Sequence, residues 1–437
     1  AALDAAERFQ PAFHFVILGG MSAADAAAAI VTGPFLSPFD SSSVTWPSKT
    51  AFIAERLISA YGLMFPLALV GGIPTALTGP LGTVGQQTKR GAEFYAKVQN
   101  AKGGIMGRPI ELIIEDTAGN PANCVRKAQE MVERHGVRMF TGLTLSSEAL
   151  AVVPKLAEWN ALFVSGINGD GSLTGDKFVP NFFRANISGP MGARAVSLYL
   201  RESKINSVFA LGLDYAWGHN SVQVFEDEMR RAKKNFIGKV FAPTGTKDYS
   251  TYVTKIRQSG ADACYLVLQG DDNNAFLSQS RQYGLPDKVT LLTEIVDLAS
   301  IKAVGEDSLG LIGSSRYSFT YDHPKNKAFV ELWQKEHKTM PDTFEGETWQ
   351  AMQVIQAGIE TAKTTDIDPL RAALKTVELD SIKGKIKFRD CDNQAVQQGF
   401  MVKVVKKAGY DTPIPEVIAT LPGERTTPGC RKTSYDD

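Results

Sequence analysis

Ser146 and Ser147, in the run "TLSSEA", stand where a helix should begin. A hydroxyl and unpaired backbone N–H groups at such a position can hold a carboxylate, and an ordinary N-cap uses the same residue types. In "SGING", Gly166 and Gly169 flank Ile167 and Asn168, so a solute can come close to the backbone there. Asp214, Tyr215 and Trp217 in "DYAWG", Gln269 in "LQGDD" and Glu294 in "LTEIV" add two acids, two rings and an amide. Glu294, at a strand's carboxyl end, suits a ligand ammonium; a solvated surface carboxylate fits the same position. These are groups that grip a small charged solute without reacting with it.

Reactive constellations are missing from the pattern. "LTGPLGTVG" lies between an apolar run and the helical "QQTKRGAEFYAKVQ", the strand, turn and helix order of an anion cradle. Its spacing is GxxGxxG, it lacks GK[ST], and no acid follows at ribose distance, so a nucleotide phosphate is the lesser reading. A carboxylate-bearing solute walled on one side by the turn is the better one. There is no GxSxG elbow, and His14, His135, His219, His323 and His337 are scattered, with no visible base for a nucleophile. No HxxxH or CxxC pair suggests a metal. The expectation is a binding protein without catalytic residues, cofactor or metal; a doubly wound enzyme, the alternative from another class, would need a base, nucleophile or cofactor.

The elements that must position these residues alternate. "PIELIIEDT", "VRMFTG", "ALFVSG" and "NFFRAN" read as strands, with "PANCVRKAQEMVERHG" and "SSEALAVVPKLAEWN" as helices between them. "SVFALGLD", "GKVFAPT", "ACYLVLQG" and "VTLLTE" begin a second series, again with helical stretches between. Continuous apolar strands alternating with helices indicate parallel sheets covered on both faces, here two doubly wound lobes. Ligands of such sheets sit at strand carboxyl ends, and three of the candidate loops belong to each series.

With 437 residues the chain suits two domains, and 47 basic residues balance 47 acidic ones. Hydrophobic residues make up 43% and charged residues 22%, so nothing favours a nucleic-acid partner, and no apolar run is long enough to span a membrane. Residues 1–65 contain no recognisable export signal and are expected to form an extension of unknown role. Of four cysteines, Cys391 and Cys430 bracket a segment rich in Pro, Gly and Thr, where a disulfide could fasten the tail; two free thiols are the alternative.

The run "ALTGPLGTVGQQTKRGAEFYAKVQNAKGGIMGRPIELIIEDTAGNP" resembles the opening of the periplasmic solute-binding proteins of ABC importers, branched-chain amino acid type. The likeness continues through "DYAWG", "KDYSTYVTKIRQSGADACYLVL" and "FRDCDNQAVQQGFMVKV", covering about Leu67 to Lys407. The resemblance implies an α/β fold of two doubly wound lobes joined by a three-segment hinge: residues 66–187 with 318–393, and 188–317 with 394–437. It also implies a monomer in the periplasm that closes on a small-molecule ligand and docks on a membrane permease. No nucleic acid enters this picture.

Matched position by position, the family's carboxylate-binding serine falls on Ser146, its backbone contact on Ile167, its acidic partner for the ligand ammonium on Glu294, and its cleft aromatic on Trp217. The departures are Gly169 in place of a threonine, Val84 in place of a bulkier residue, and Gln269 or Gly270 near a family tyrosine. Fewer large side chains imply a wider pocket, for an amino acid or a bulkier aromatic acid. An amide or urea receptor, or a ligand-sensing regulator, is the alternative on the same scaffold.

Overall fold

In "ALFVSG", Leu162 and Val164 join the apolar cluster of Phe94 and Trp349, while Phe163 joins that of Val132 and Trp159. A strand buried on both faces must lie inside a sheet sandwiched by helices. The computed structural model describes residues 68–433; the extension expected over residues 1–65 lies outside them.

The first series is β1 (Leu69–Thr75), α1 (Gly82–Asn100), β2 (Ile110–Asp116), α2 (Pro121–His135), β3 (Met139–Phe140), α3 (Ser146–Val152), β4 (Leu162–Ser165) and β5 (Phe182–Arg184). Its strands form one parallel sheet in the order β2-β1-β3-β4-β5. Local chemistry sets the helix ends. The Asn120 side chain accepts the N–H of Asn123 at 3.0 Å, Pro121 opens α2, and Gly136 closes it in the left-handed conformation. "SSEALAVVPKLAEWN" is shorter as a helix than expected: α3 ends at Val152 and a tighter turn spans Val153–Lys155. Pro154 has no N–H to return to the preceding turn.

The second series is α4 (Gly189–Arg201), β6 (Ser207–Leu213), α5 (Ala216–Arg231), β7 (Asn235–Ala242), α6 (Ser250–Ser259), β8 (Ala263–Val267), α7 (Gly270–Gln282), β9 (Thr290–Thr293), α8 (Leu298–Val304) and β10 (Ile312–Ser315). These strands run parallel in the order β10-β9-β8-β6-β7, which repeats the order of the first sheet.

The chain then returns to the first sheet. In α9 (Pro324–His337) and α10 (Thr343–Ala362), Phe329, Trp333 and Trp349 pack with Leu69, Phe94 and Tyr95. The Phe94 and Trp333 rings meet edge to face at 5.0 Å between centroids. After α11 (Ile367–Lys375), strands β11 (Glu378–Ser381), β12 (Gly384–Phe388) and β13 (Ala395–Gln397) form a small antiparallel sheet. Finally β14 (Gly399–Val405) and β15 (Ile414–Leu421) add antiparallel strands to the second sheet.

Three chain passages therefore connect the sheets, after β5, β10 and β13. Buried amides tie the first passage to the third and to α10: Gln350 and Gln397 donate to the Ala185 carbonyl at 2.7 and 2.6 Å, and Gln394 donates to that of Asn186 at 3.2 Å. Because a buried carbonyl left unpaired is costly, these amides fix the backbone where it passes between sheets.

Candidate functional site

In each sheet the strand order reverses beside its first strand, and the loops diverging there leave a crevice. Leu81 and Val84 follow β1, and Thr144 and Ser146 follow β3. Tyr215 and Trp217 follow β6, and Gln269 follows β8. With Ile167, Gly169, Ile295, Arg316 and Phe344 they enclose a cavity of about 310 Å³, part of it open to solvent.

The glycine turn forms an apolar wall here and not an anion cradle. Its N–H groups at Gly82, Val84 and Gly85 bond to carbonyls within the turn, at 2.9, 3.0 and 3.3 Å. A Cβ at Gly85 would lie 1.8 Å from the Ala76 carbonyl oxygen, so this glycine lets α1 press against the end of β1. What reaches the cavity is Leu81 and Val84.

The Ser146 hydroxyl accepts the N–H groups of Gly169 and Asp170 at 3.2 and 3.1 Å. With both lone pairs engaged, its hydrogen is left to donate into the cavity. Helix α3 has only seven residues, and Glu148 caps it by accepting the Leu145 N–H at 3.0 Å, so the hydroxyl is the more definite donor. Ser147 is half-buried and stands off the wall. Asn168 also stands off it: its amide donates to the carbonyls of Leu143 and Leu145 and ties two loops together. Ile167 and Gly169 face the cavity. Asp214, in the "DYAWG" turn, is exposed and pairs with His219 at 2.7 Å.

Among the wall residues the sequence reading missed, Leu81, Thr144, Ile295 and Phe344 included, Arg316 is the charged one. It is 2% exposed and lines the cavity. Its Nη1 donates to the Ile167 carbonyl and its Nη2 to Glu294 Oε1 at 3.3 Å, while Nε has no hydrogen-bond partner among the described residues. The available signal was a cation directly after the apolar "LGLIGSS", a further strand whose carboxyl end points at the same crevice as the others.

Glu294 lies behind the wall. Its Oε1 accepts from Trp217 Nε1 at 2.8 Å and from Arg316, and its Oε2 has no partner among the described residues. Burial pushes its carboxyl above the usual range, an effect opposed by the Arg316 charge. The expected partner of a ligand ammonium is thus engaged by an arginine and an indole. Gln269 presents an amide whose Nε2 donates to Asp297 Oδ2 at 3.0 Å and whose Oε1 has no partner among the described residues. Burial and the nearby Asp342 charge push Asp297 up to about 7.

Cys391 and Cys430 are joined in a disulfide, so their sulfurs offer no thiolate to a metal beside Asp392. Cys124 and Cys264 are buried free thiols. Among the described residues no helix is long and apolar enough to cross a membrane.

Two sheets of the same strand order, bridged three times around a crevice, define the type I periplasmic binding protein class. A family profile described as periplasmic binding protein matches residues 72–409, and the chain belongs to that family, within its branched-chain amino acid-binding group. It is 24% identical over 352 residues to the Leu/Ile/Val-binding protein homolog 6 of Brucella suis, covering 78% of this chain and 88% of that one. Among solved structures, an ABC transporter substrate-binding protein from Sphaerobacter thermophilus superposes with a TM-score of 0.75 at 27% identity, covering 82% of this chain and 98% of the other. A solute-binding protein of an ABC transporter from Rhodopseudomonas palustris, in complex with 3,4-dihydroxybenzoic acid, gives 0.76 at 21% identity over 82% and 98% of the two chains.

Proposed function

We propose that this chain is the extracytoplasmic receptor of an ABC importer, which binds a small carboxylate-bearing solute between its two sheets and delivers it unchanged. One observation carries the reading: among the described residues Arg316 is the cavity's single charged wall residue, and the Ser146 hydroxyl lines the same space with its oxygen accepting two backbone N–H groups, which leaves its hydrogen free to donate. A guanidinium and a hydroxyl inside a ring of Tyr215, Trp217 and Phe344 suit an acid group on an apolar body. Among the described residues no His, Lys, Cys, Asp or Glu lines the wall, so none of them stands there as a base to make the serine a nucleophile.

The named ligands of the relatives, branched-chain amino acids in one and a dihydroxybenzoic acid in another, support a carboxylate ligand for this chain too. Its setting is then the periplasm, as a monomer whose lobes (66–187 with 318–393, and 188–317 with 394–437) close by hinge motion and dock on a permease. A thermal-shift screen with amino acids, aromatic acids and short amides tests the reading, since a ligand that binds only the folded chain raises the melting temperature. Ser146→Ala and Trp217→Ala should each weaken the hit. An unchanged affinity in both, or a product released from the ligand, would overturn the assignment.

A further inference from the structure

We propose that Arg316, positioned by Glu294, reads the ligand's acid group, and that the cavity selects aromatic monocarboxylates without an α-ammonium group over α-amino acids. This rests on the receptor reading above and specifies its ligand class.

Among the described residues the wall's charged group is a cation, Arg316, and the acceptor it leaves open is the neutral amide oxygen of Gln269. An ammonium presents three donors and no acceptor. The carboxylate of Glu294, behind the wall, has Oε1 engaged by the Trp217 indole N–H at 2.8 Å and by Arg316 at 3.3 Å, while Oε2 has no partner among the described residues. A ligand ammonium seeking Glu294 would share that carboxylate with the guanidinium of Arg316 and lie close to it. Like charges at such a distance, in a site shielded from water, repel strongly.

Arg316 is held from two sides, by the Ile167 carbonyl and by Glu294, and its Nε is a buried donor without a partner among the described residues. A carboxylate would engage the remaining guanidinium hydrogens and thereby satisfy them. Gly169 keeps this arrangement open: a Cβ there would fall 2.5 Å from Trp217 Cδ1 and 2.6 Å from Arg316 Nη2. The side chain missing at Gly169 is therefore replaced in space by the indole and the guanidinium. The Tyr215 and Trp217 rings, 5.8 Å apart between centroids, supply faces for a flat apolar body.

Matched ligand pairs on the full chain give the test. Calorimetry would compare 3-phenylpropanoate with phenylalanine, which differ only by the ammonium, and add benzoate and its neutral amide, benzamide. The expected result is tighter binding of 3-phenylpropanoate by roughly tenfold or more, with benzoate bound and benzamide weaker by a similar factor. Glu294→Gln, which can still accept from the indole, should leave the preference for the ammonium-free acid in place. Arg316→Lys keeps the charge and loses the fork, and should weaken benzoate by roughly tenfold.

Tighter binding of phenylalanine, lost in Glu294→Gln, would overturn the proposal and leave the receptor reading standing. Carboxylate binding that ignores Arg316→Lys would likewise overturn only the role of Arg316. Failure of every carboxylate to bind would overturn both readings. The comparison of ligands on the unaltered chain does not depend on whether any variant folds.

Discussion

Asp342 accepts the backbone N–H of Leu298 at 2.7 Å through Oδ1, and through Oδ2 it takes the next N–H, that of Ala299, also at 2.7 Å. The carboxylate belongs to the start of α10, which packs on the first sheet, and the amides belong to α8, which follows β9 of the second. Gln87 of α1 adds a donor at 2.9 Å. One side chain thus clasps the two sheets together beside the cavity.

Asp342→Ala removes that clasp and the cap of α10 at once. The expected loss is on the order of 1–3 kcal/mol in stability, with a weaker ligand. Asn should recover part of it, since its carbonyl still accepts. Denaturant melts of the two variants check this; equal stability of wild type and Ala would dismiss the clasp.

Asp297 faces Asp342 from the start of α8, and its carboxyl, pushed up to about 7, stays protonated well above the ordinary range. The unfolded chain loses that proton near pH 4, so between about 4 and 7 the folded form holds more protons and stability falls as pH rises. Asp297→Asn should flatten part of this fall and raise the melting temperature at pH 8 by a few degrees. Asn still caps α8, and the Gln269 amide can turn its unpartnered oxygen toward it. Glu345 and Glu347, each pushed up to about 7 by burial, keep the remaining slope. A melting curve series from pH 5 to 8 is the check; an unaltered slope counts against it.

Gly169→Ala should cost ligand affinity roughly tenfold while changing stability far less, because the added methyl pushes Trp217 and Arg316 into the cavity and leaves both sheets intact. Titration with a ligand from the screen, beside a thermal melt, separates the two effects. Full affinity in the variant would mean that the indole and guanidinium yield without consequence.

The Cys391–Cys430 bridge spans 39 residues of sequence. Replacing both cysteines by serine should cost on the order of 2–4 kcal/mol. Ligand affinity should not move, since neither sulfur approaches the cavity wall. Arg431 keeps a second tie, donating to the Cys391 carbonyl at 2.7 Å, so the tail loosens in steps. Chemical denaturation with and without reductant reads the difference.

Much of the scaffold could be read along the chain because local rules produce it. The continuous apolar run in "LFVS", the Asn120 cap and the Gly136 stop each act over a few residues, and such local signals place the loops carrying Ser146, Trp217 and Gln269. What could not be read depends on contacts far apart in sequence. Arg316 reaches the carbonyl of Ile167 across 149 residues. No spacing rule announces such a contact. Glu294 was recognised as an acid at a strand end, yet whether it faces a ligand or a neighbour is decided by which cation arrives beside it. Phe344 reaches the cavity because α10 folds back over the first sheet, a consequence of tertiary packing.

The repeated strand order has an evolutionary corollary. Most of the residues that line the cavity hang from strand tips, outside the hydrogen-bonded ladders. Exchanging them reshapes what is captured while the girders stay put. A lineage can therefore change its diet by a handful of tip substitutions, and directed evolution of new cargo in this chain should begin at those positions and leave the sheets alone.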